Sequence, residues 1–123
     1  MIEGRVTNDL EAHIELSLEL PGGDVAIIDA VIDTGYDGKL ILPREFLESW
    51  ALPIIGTRKV MMADGSLDEW PRYDAIVLWH NTQRHVDILA SEGEILVGME
   101  LLQGSRLTIE ITDGGRVEIR PLA

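Results

Sequence analysis

The stretch VIDTGYDGKLILP, residues 31–43, places an acid directly behind a run of apolar residues. The apolar segment has the character of a buried strand and ends at Asp33, and a second apolar segment resumes at Leu40. An ionised carboxylate costs several kcal/mol to bury unless a partner compensates its charge. The pattern therefore predicts a buried turn whose acid has a functional purpose. The simpler interpretation is an ordinary turn, since such turns often contain Asp and Gly.

Two carboxylates held close together would supply that purpose, because like charges at such a distance share one proton. The ionised acid can accept a proton from a water that attacks a peptide carbonyl, and the protonated acid can hydrogen-bond the carbonyl oxygen. The remaining Asp-Gly pairs, at Asp64 and Asp113, are explained more simply as hairpin turns. Asp33 is then the single candidate in the chain, and an isologous homodimer would bring a second copy opposite it. This chemistry needs no metal and no cofactor.

Composition narrows the class of protein. A chain of 123 residues fits one domain, residues 1–123, and the absence of cysteine excludes disulfides and thiolate metal sites. The net charge of −12 and the lack of a basic stripe argue against a nucleic-acid partner. The three histidines lack metal-ligand spacing, so no metal is expected. No apolar run reaches the ~18 residues of a membrane span, and the N-terminus lacks a signal-peptide core. We expect a cytoplasmic protein without a membrane partner.

The pattern along the chain is mostly that of strands. Apolar and polar residues alternate over residues 12–20, which predicts a half-buried strand, and a turn follows at Pro21 to Asp24. Residues 25–32 are almost continuously apolar, as expected of a strand covered on both faces. Residues 43–53 have helical spacing with proline in the first turn. Hairpins are predicted about Asp64-Gly65, Asn81-Thr82 and Asp113-Gly115, with a short strand and a helical turn in EILVGMELLQG.

In these segments the chain resembles the retropepsin-like aspartic proteases of clan AA, the single-domain dimeric relatives of pepsin. VIDTG resembles their active-site loop, VMMADGS falls where their flap hairpin belongs, and ILVGMELL resembles the motif that packs behind the loop. More narrowly, VIDTGYDGKLILP, ADGS, LVGMELL and RLTIEITDGGRVEI are similar to small bacterial and archaeal proteins with a DTGF signature. The resemblance implies a mainly β fold, a closed β-barrel of the acid-protease type with one or two short helices.

The resemblance also implies roles for the residues of the active-site loop. Asp33 would be the catalytic acid, Thr34 would hydrogen-bond across the dimer, and Gly35 would let the substrate backbone approach closely. Gly98 would allow the strand at residues 95–97 to pack against the loop. These roles describe a homodimeric endopeptidase that acts on peptides or proteins.

Substrate contacts are implied for a second group of residues. Tyr36 stands where pepsin-like and retroviral sites have Ala or Ser and the bacterial pattern has Phe, so its ring would narrow the cleft or form part of a pocket. Asp37 would contact substrate backbone or an arginine of the partner. Ala63, Asp64 and Gly65 would form the tip of a flap that closes over the peptide.

Two other functions fit the same sequence. The chain could be a peptide-binding or regulatory module that keeps the fold but cleaves slowly or not at all. It could also be a plain interaction domain in which Asp33 is an incidental turn acid, and a monomeric state would favour that interpretation. The most useful observation would be the distance between the two Asp33 carboxylates across a dimer, because a site motif implies chemistry only when its geometry is met.

Overall fold

Strands dominate the computed structural model, which describes residues 1–123, and they form one ten-stranded sheet. In chain order the strands are β1 (Ile2–Val6), β2 (Ala12–Glu19), β3 (Val25–Ile32), β4 (Leu40–Pro43), β5 (Ile54–Met61), β6 (Leu67–Trp79), β7 (Thr82–Ser91), β8 (Leu96–Val97), β9 (Ser105–Ile109) and β10 (Arg116–Pro121). The helices are α1 (Arg44–Ser49) and α2 (Met99–Leu102). A mainly β fold with two short helices confirms the predicted fold class. No helix combines the length and the apolar character that crossing a bilayer would require.

The sheet curls on itself. Its strand order is β5-β6-β7-β4-β8-β3-β2-β1-β10-β9, and β2 also pairs with β6 at Leu18–Val77 and Glu19–Ile76. That extra pairing closes the strands from β6 to β2 into a ring, but only over a short stretch. The predicted closed barrel is therefore seen only in part.

The hydrophobic core lies inside this ring, and β2 shows how the sequence produces it. Ile14, Leu16 and Leu18 are at most 2% exposed, whereas the residues between them face outward. The predicted alternation of β2 is thus confirmed. Burying each such aliphatic side chain stabilises the fold by roughly 1.5–3 kcal/mol. The core contains no buried polar or charged side chain.

Strand β3 departs from its prediction. The continuous apolar run predicts a strand covered on both faces, yet only the inner face, with Ile28 and Ala30, is buried. Val25 is 63% exposed and Ile27 is 68% exposed, because the ring is one sheet thick here and its outer face meets solvent. The strand therefore carries apolar side chains on an unprotected face.

Two hairpins and the start of one helix also differ in detail from what the sequence predicts. The segments SLDEW and YDAIVLW, predicted as separate strands, form the continuous β6, which includes Pro71. The turn to β7 is centred on His80 and Asn81 rather than on Asn81 and Thr82, since both of the former have positive φ, 50° and 62°. Positive φ at both central residues is what a tight two-residue hairpin requires. Pro43 ends β4 and caps α1 instead of lying in its first turn.

Candidate active site

The Asp33 loop leaves the end of β3 and is held by the short parallel strand β8. The backbone N–H of Val31 donates to the carbonyl oxygen of Ile95 at 3.0 Å, and that of Asp33 donates to Val97 at 2.9 Å. Parallel pairing fixes the position along the strand at which β3 ends and the loop begins. The acid is thus presented from a fixed backbone, which is what a catalytic group requires.

The Asp33 carboxylate is oriented by its own loop. Its Oδ1 accepts a hydrogen bond from the backbone N–H of Gly35 at 2.9 Å, and no ion pair in the chain includes it. A β-carbon on Gly35 would lie 3.2 Å from the same Oδ1, so glycine keeps this space clear. The carboxylate is held without a cation that would neutralise it, and it remains available to a proton or a second acid.

The loop is less buried than the sequence predicts. Asp33 is half-buried, and Thr34 and Gly35 are exposed. The expectation of a buried turn is therefore wrong for the isolated chain. The flanking apolar strands thus leave Thr34 and Gly35 accessible to solvent in the single chain.

Gly98 lies directly behind the Asp33 loop. A β-carbon at this position would overlap the carbonyl oxygen of Gly38 and the ring of Tyr36. Three backbone hydrogen bonds join the two segments: Gly98 N–H to Lys39, Met99 N–H to Tyr36 and Glu100 N–H to Gly38, at 2.9, 2.8 and 3.0 Å. The start of α2 is thereby attached to the second half of the loop.

Tyr36 packs against the body of the protein rather than beside Asp33. Its ring runs from Gly98 to Gly38, and its hydroxyl lies next to Gly38 and the Arg58 guanidinium of β5. Burial raises the pKa of Tyr36 to about 12, although the charge of Arg58 acts in the opposite direction. The side chain therefore stays neutral at physiological pH and fills the space under the loop.

Asp37 connects the same loop to β5. Its Oδ1 accepts a hydrogen bond from the Arg58 guanidinium at 3.3 Å, and its side chain is 89% exposed. An ion pair so exposed contributes at most ~1 kcal/mol. Since Arg58 also lies beside the Tyr36 hydroxyl, one residue of β5 contacts two consecutive residues of the loop.

The turn between β5 and β6 forms a projecting tip at Ala63, Asp64 and Gly65. Gly65 has φ +85°, and its N–H donates to Met62 at 3.0 Å. Asp64 Oδ1 accepts hydrogen bonds from the hydroxyl and the backbone N–H of Ser66, which lower the pKa of Asp64. All of these bonds lie within the turn, and no hydrogen bond joins it to the Asp33 loop. The structure thus joins the second half of the predicted loop to Gly98 by hydrogen bonds and shows no hydrogen bond between the loop and the tip.

An apolar pocket beside Asp33 and Thr34 was not predicted from the sequence. Its volume is about 420 Å³, and its apolar lining includes Val6, Leu10, Ile32, Leu96, Ile109 and Ile111. Two of these side chains are unusually accessible, with Leu10 61% and Ile111 75% exposed. Both are apolar residues in turns that are otherwise polar. An apolar residue in such a turn is the sequence signal that could have predicted the rim of this pocket.

The chain has no cluster of three or more His, Asp or Glu side chains arranged to hold a metal ion. His13 contacts Asp29 and Glu11 on the surface, and His80 donates to or accepts from Ser105.

Comparison with known proteins supports the fold. The chain is similar to the crystal structure of a retropepsin-like aspartic protease from Rickettsia conorii, with a TM-score of 0.64 and 17% sequence identity. The match covers 98% of this chain and 92% of that one. No family model matches the chain, and no curated protein matches it. At this level of identity the likeness shows a retropepsin-like fold.

Proposed function

We propose that the chain is one subunit of a homodimeric aspartic endopeptidase, in which Asp33 and the partner's Asp33 activate a water molecule for attack on a peptide bond. The single observation that carries the proposal is the Asp33 carboxylate, held by the Gly35 N–H at the end of a β-strand in a retropepsin-like fold. No metal or cofactor takes part in the proposed reaction. The narrower membership among the DTGF-type proteins stays a prediction.

The need for a second subunit follows from the chemistry of the acid. Asp33 has no second carboxylate as a hydrogen-bond partner within its chain, and one carboxylate cannot be general base and hydrogen-bond donor at once. A two-fold axis beside Thr34 would bring two copies together and let them share a proton. The apolar pocket beside Thr34, with Leu10 and Ile111 exposed at its rim, is a surface that a second copy could cover.

The proposed mechanism uses the two acids in different states of protonation. The ionised carboxylate accepts a proton from water while that water attacks the carbonyl carbon. The protonated carboxylate donates a hydrogen bond to the carbonyl oxygen as it gains negative charge. As the tetrahedral intermediate collapses, the C–N bond breaks and the leaving amine takes up the proton that the first carboxylate accepted from water.

A peptide substrate fits the elements around the loop. The β5–β6 hairpin carries exposed apolar side chains near its tip, Met61, Met62 and Leu67, which are 71%, 40% and 63% exposed. An extended peptide could lie between this tip and the Asp33 loop and form backbone hydrogen bonds as strands do. The proposed substrate class is therefore an extended segment of a peptide or protein.

The test is cleavage of a mixed peptide library by the wild type and by Asp33→Asn, with assembly measured by analytical ultracentrifugation. We expect Asp33→Asn to lower cleavage at least about a thousandfold and to leave the dimer intact. Asp113→Asn, in the β9–β10 turn, is the matched control and should cleave like the wild type. Equal cleavage by Asp33→Asn would overturn the proposal. A dimer that binds peptides without cutting them would indicate the peptide-binding module instead.

A further inference from the structure

The outer edge of β3 has no partner strand over most of its length. β3 pairs with β2 from Val25 to Val31, but on its other side it meets only the two-residue strand β8, at Val31 and Ile32. The N–H of Val31 points to that side, since it donates to Ile95. N–H and C=O groups of alternate residues share one side of a strand, so those of Val25, Ile27 and Asp29 also point there.

This β3 edge, defined as the backbone from Val25 to Asp29 with the side chains of Val25 and Ile27, lacks the usual protection. Exposed edges normally carry Lys, Pro or a bulge, because free N–H and C=O groups recruit other strands. The terminal strands of the sheet follow this rule: β5 contains Arg58 and Lys59, and β9 contains Arg106. The β3 edge instead presents two apolar side chains that are 63% and 68% exposed.

Apart from His13, whose ring hydrogen-bonds Asp29 at 2.8 Å, the charged side chains of β2 and β3 are all acidic. Between Glu11 and Ile32 the sequence has no Lys or Arg. Within β2, Glu15 lies directly opposite Asp29 and Glu19 lies opposite Val25, on the same outer face. The apolar surface continues past Glu19 to Ile76 and Leu78 of β6, where it borders a depression of about 290 Å³.

From these observations we infer that the β3 edge binds an extended, basic segment of another protein by strand addition. A segment added in the antiparallel sense would present apolar side chains opposite Val25 and Ile27 and a Lys or Arg opposite Asp29. Because the added segment runs opposite to β3, its pattern, read from its N-terminus, is basic-x-apolar-x-apolar. The free edge spans roughly 14 Å, which is enough for five residues of a strand.

A second copy of this chain is the less favourable occupant. Antiparallel pairing of two β3 edges about Ile27 would place Asp29 of each copy opposite Val25 of the other, next to its Asp24 and its Glu19. Like charges so close across a strand pair repel each other. Each chain also carries a net charge of −12, which adds long-range repulsion. The inference is independent of catalysis and of the proposed dimer.

The test uses a fluorescein-labelled peptide, Lys-Lys-Thr-Ile-Thr-Val-Ser, and the full chain carrying Asp33→Asn so that no cleavage interferes. Fluorescence anisotropy gives the affinity, and amide chemical shifts locate the binding site. We expect saturable binding with the largest shifts at Val25, Ile27 and Asp29. Replacing both lysines of the peptide with Glu, or N-methylating its edge-facing amides, should weaken binding at least about tenfold.

Variants of the protein complete the test. Ile27→Lys should weaken binding of the basic peptide at least about tenfold, because it removes apolar contact and adds a like charge. The matched control is Thr108→Lys, which adds the same charge to an exposed position of β9 and should leave the affinity unchanged. Circular dichroism checks that both variants fold.

Four results would overturn the inference. Shifts confined to the Asp33 loop and residues 62–66 would show that the peptide occupies the candidate active site instead. Unchanged affinity in Ile27→Lys, or no saturable binding of the peptide, would show that the β3 edge is not a docking site. Self-association of the peptide-free chain that Ile27→Lys abolishes would assign the edge to a second copy.

Discussion

The ring of Tyr36 occupies the space into which a side chain on Gly98 would project. A β-carbon on Gly98 would overlap both that ring and the carbonyl oxygen of Gly38. The backbone of Gly98, with φ −101° and ψ 176°, suits any residue, so its glycine is required by contact and not by conformation. The Asp33 loop can therefore take its position only because residue 98 has no β-carbon.

We expect Gly98→Ala to destabilise the protein by about 2–4 kcal/mol, because backbone must move to admit the methyl group. Urea unfolding followed by circular dichroism measures this change. Gly93→Ala is the matched control: a β-carbon at Gly93 would meet nothing within 4 Å, so the free energy of unfolding should change by less than ~0.5 kcal/mol. Equal free energies of unfolding for the two variants would show that the close contact at Gly98 does not contribute to stability.

Tyr36→Phe tests whether the Tyr36 hydroxyl has a role in the reaction. The ring packs on Gly98 and the hydroxyl lies beside Arg58, away from the pocket that borders Asp33. Because burial raises the pKa of Tyr36 to about 12, the hydroxyl does not titrate near neutral pH. We expect kcat/KM to change by less than about threefold and the pH profile to stay the same. A changed preference among peptide substrates would place Tyr36 in the cleft, as the sequence resemblance implies.

Asp87 offers a prediction about pH. Its carboxylate oxygens lie 3.0 Å from the Lys39 ammonium, just after the Asp33 loop, and 3.8 Å from the Arg72 guanidinium. Burial acts to raise the pKa of Asp87, but the hydrogen bond and charge of Lys39 and the charge of Arg72 outweigh it and lower the pKa below 3.8. Since the lowered pKa belongs to the folded state, the stabilisation is present above pH 3.8 and is lost as the pH falls through the folded-state pKa.

We therefore expect Asp87→Asn to lower the free energy of unfolding by about 1–2 kcal/mol at pH 6. The difference between variant and wild type should shrink below pH 3.8, as the wild-type carboxylate takes up its proton. Urea titrations at a series of pH values measure both effects. A difference that stays constant down to pH 2 would mean that the loss comes from packing and not from charge.

Residue periodicity predicted the strands that have one buried and one solvent-facing side. β2 is the clearest case, because its alternation of apolar and polar residues directly encodes which face is inside. The same reasoning failed for β3, whose apolar residues lie on both faces although only one face is covered. The sequence gives the polarity of each side chain but not the atoms that pack against it. An apolar face that is exposed in the structure is therefore predicted to be buried.

For a similar reason, the sequence predicted one part of the candidate site and missed another. The loop at Asp33 could be found because its residues are consecutive and the pattern of apolar-Asp-Thr-Gly is recognisable in one dimension. The pocket beside it could not, since Val6 and Leu10, Leu96, and Ile111 come from three separate segments that meet only in the folded chain. The orientation of Tyr36 was equally hidden, because it depends on the missing side chain of Gly98.

The apolar rim of that pocket provides the sharpest test of the proposed dimer. Ile111 is 75% exposed, so its side chain contributes little to the stability of a single chain. If a second copy covers it, Ile111→Asp would bury an unpaired carboxylate in the interface. We expect the dimer dissociation constant to rise at least about tenfold, and cleavage to fall in proportion to the lost dimer.

Ile27→Asp is the matched control, because Ile27 is similarly exposed at 68% but lies on the outer face of β3. The same chemical change there should leave both assembly and cleavage as in the wild type. Sedimentation velocity over a concentration series measures assembly, and peptide hydrolysis at the same concentrations measures activity. Loss of the dimer in Ile27→Asp but not in Ile111→Asp would move the interface to β3 and separate the two Asp33 carboxylates. Cleavage that survives in an Ile111→Asp monomer would contradict a shared pair of acids altogether.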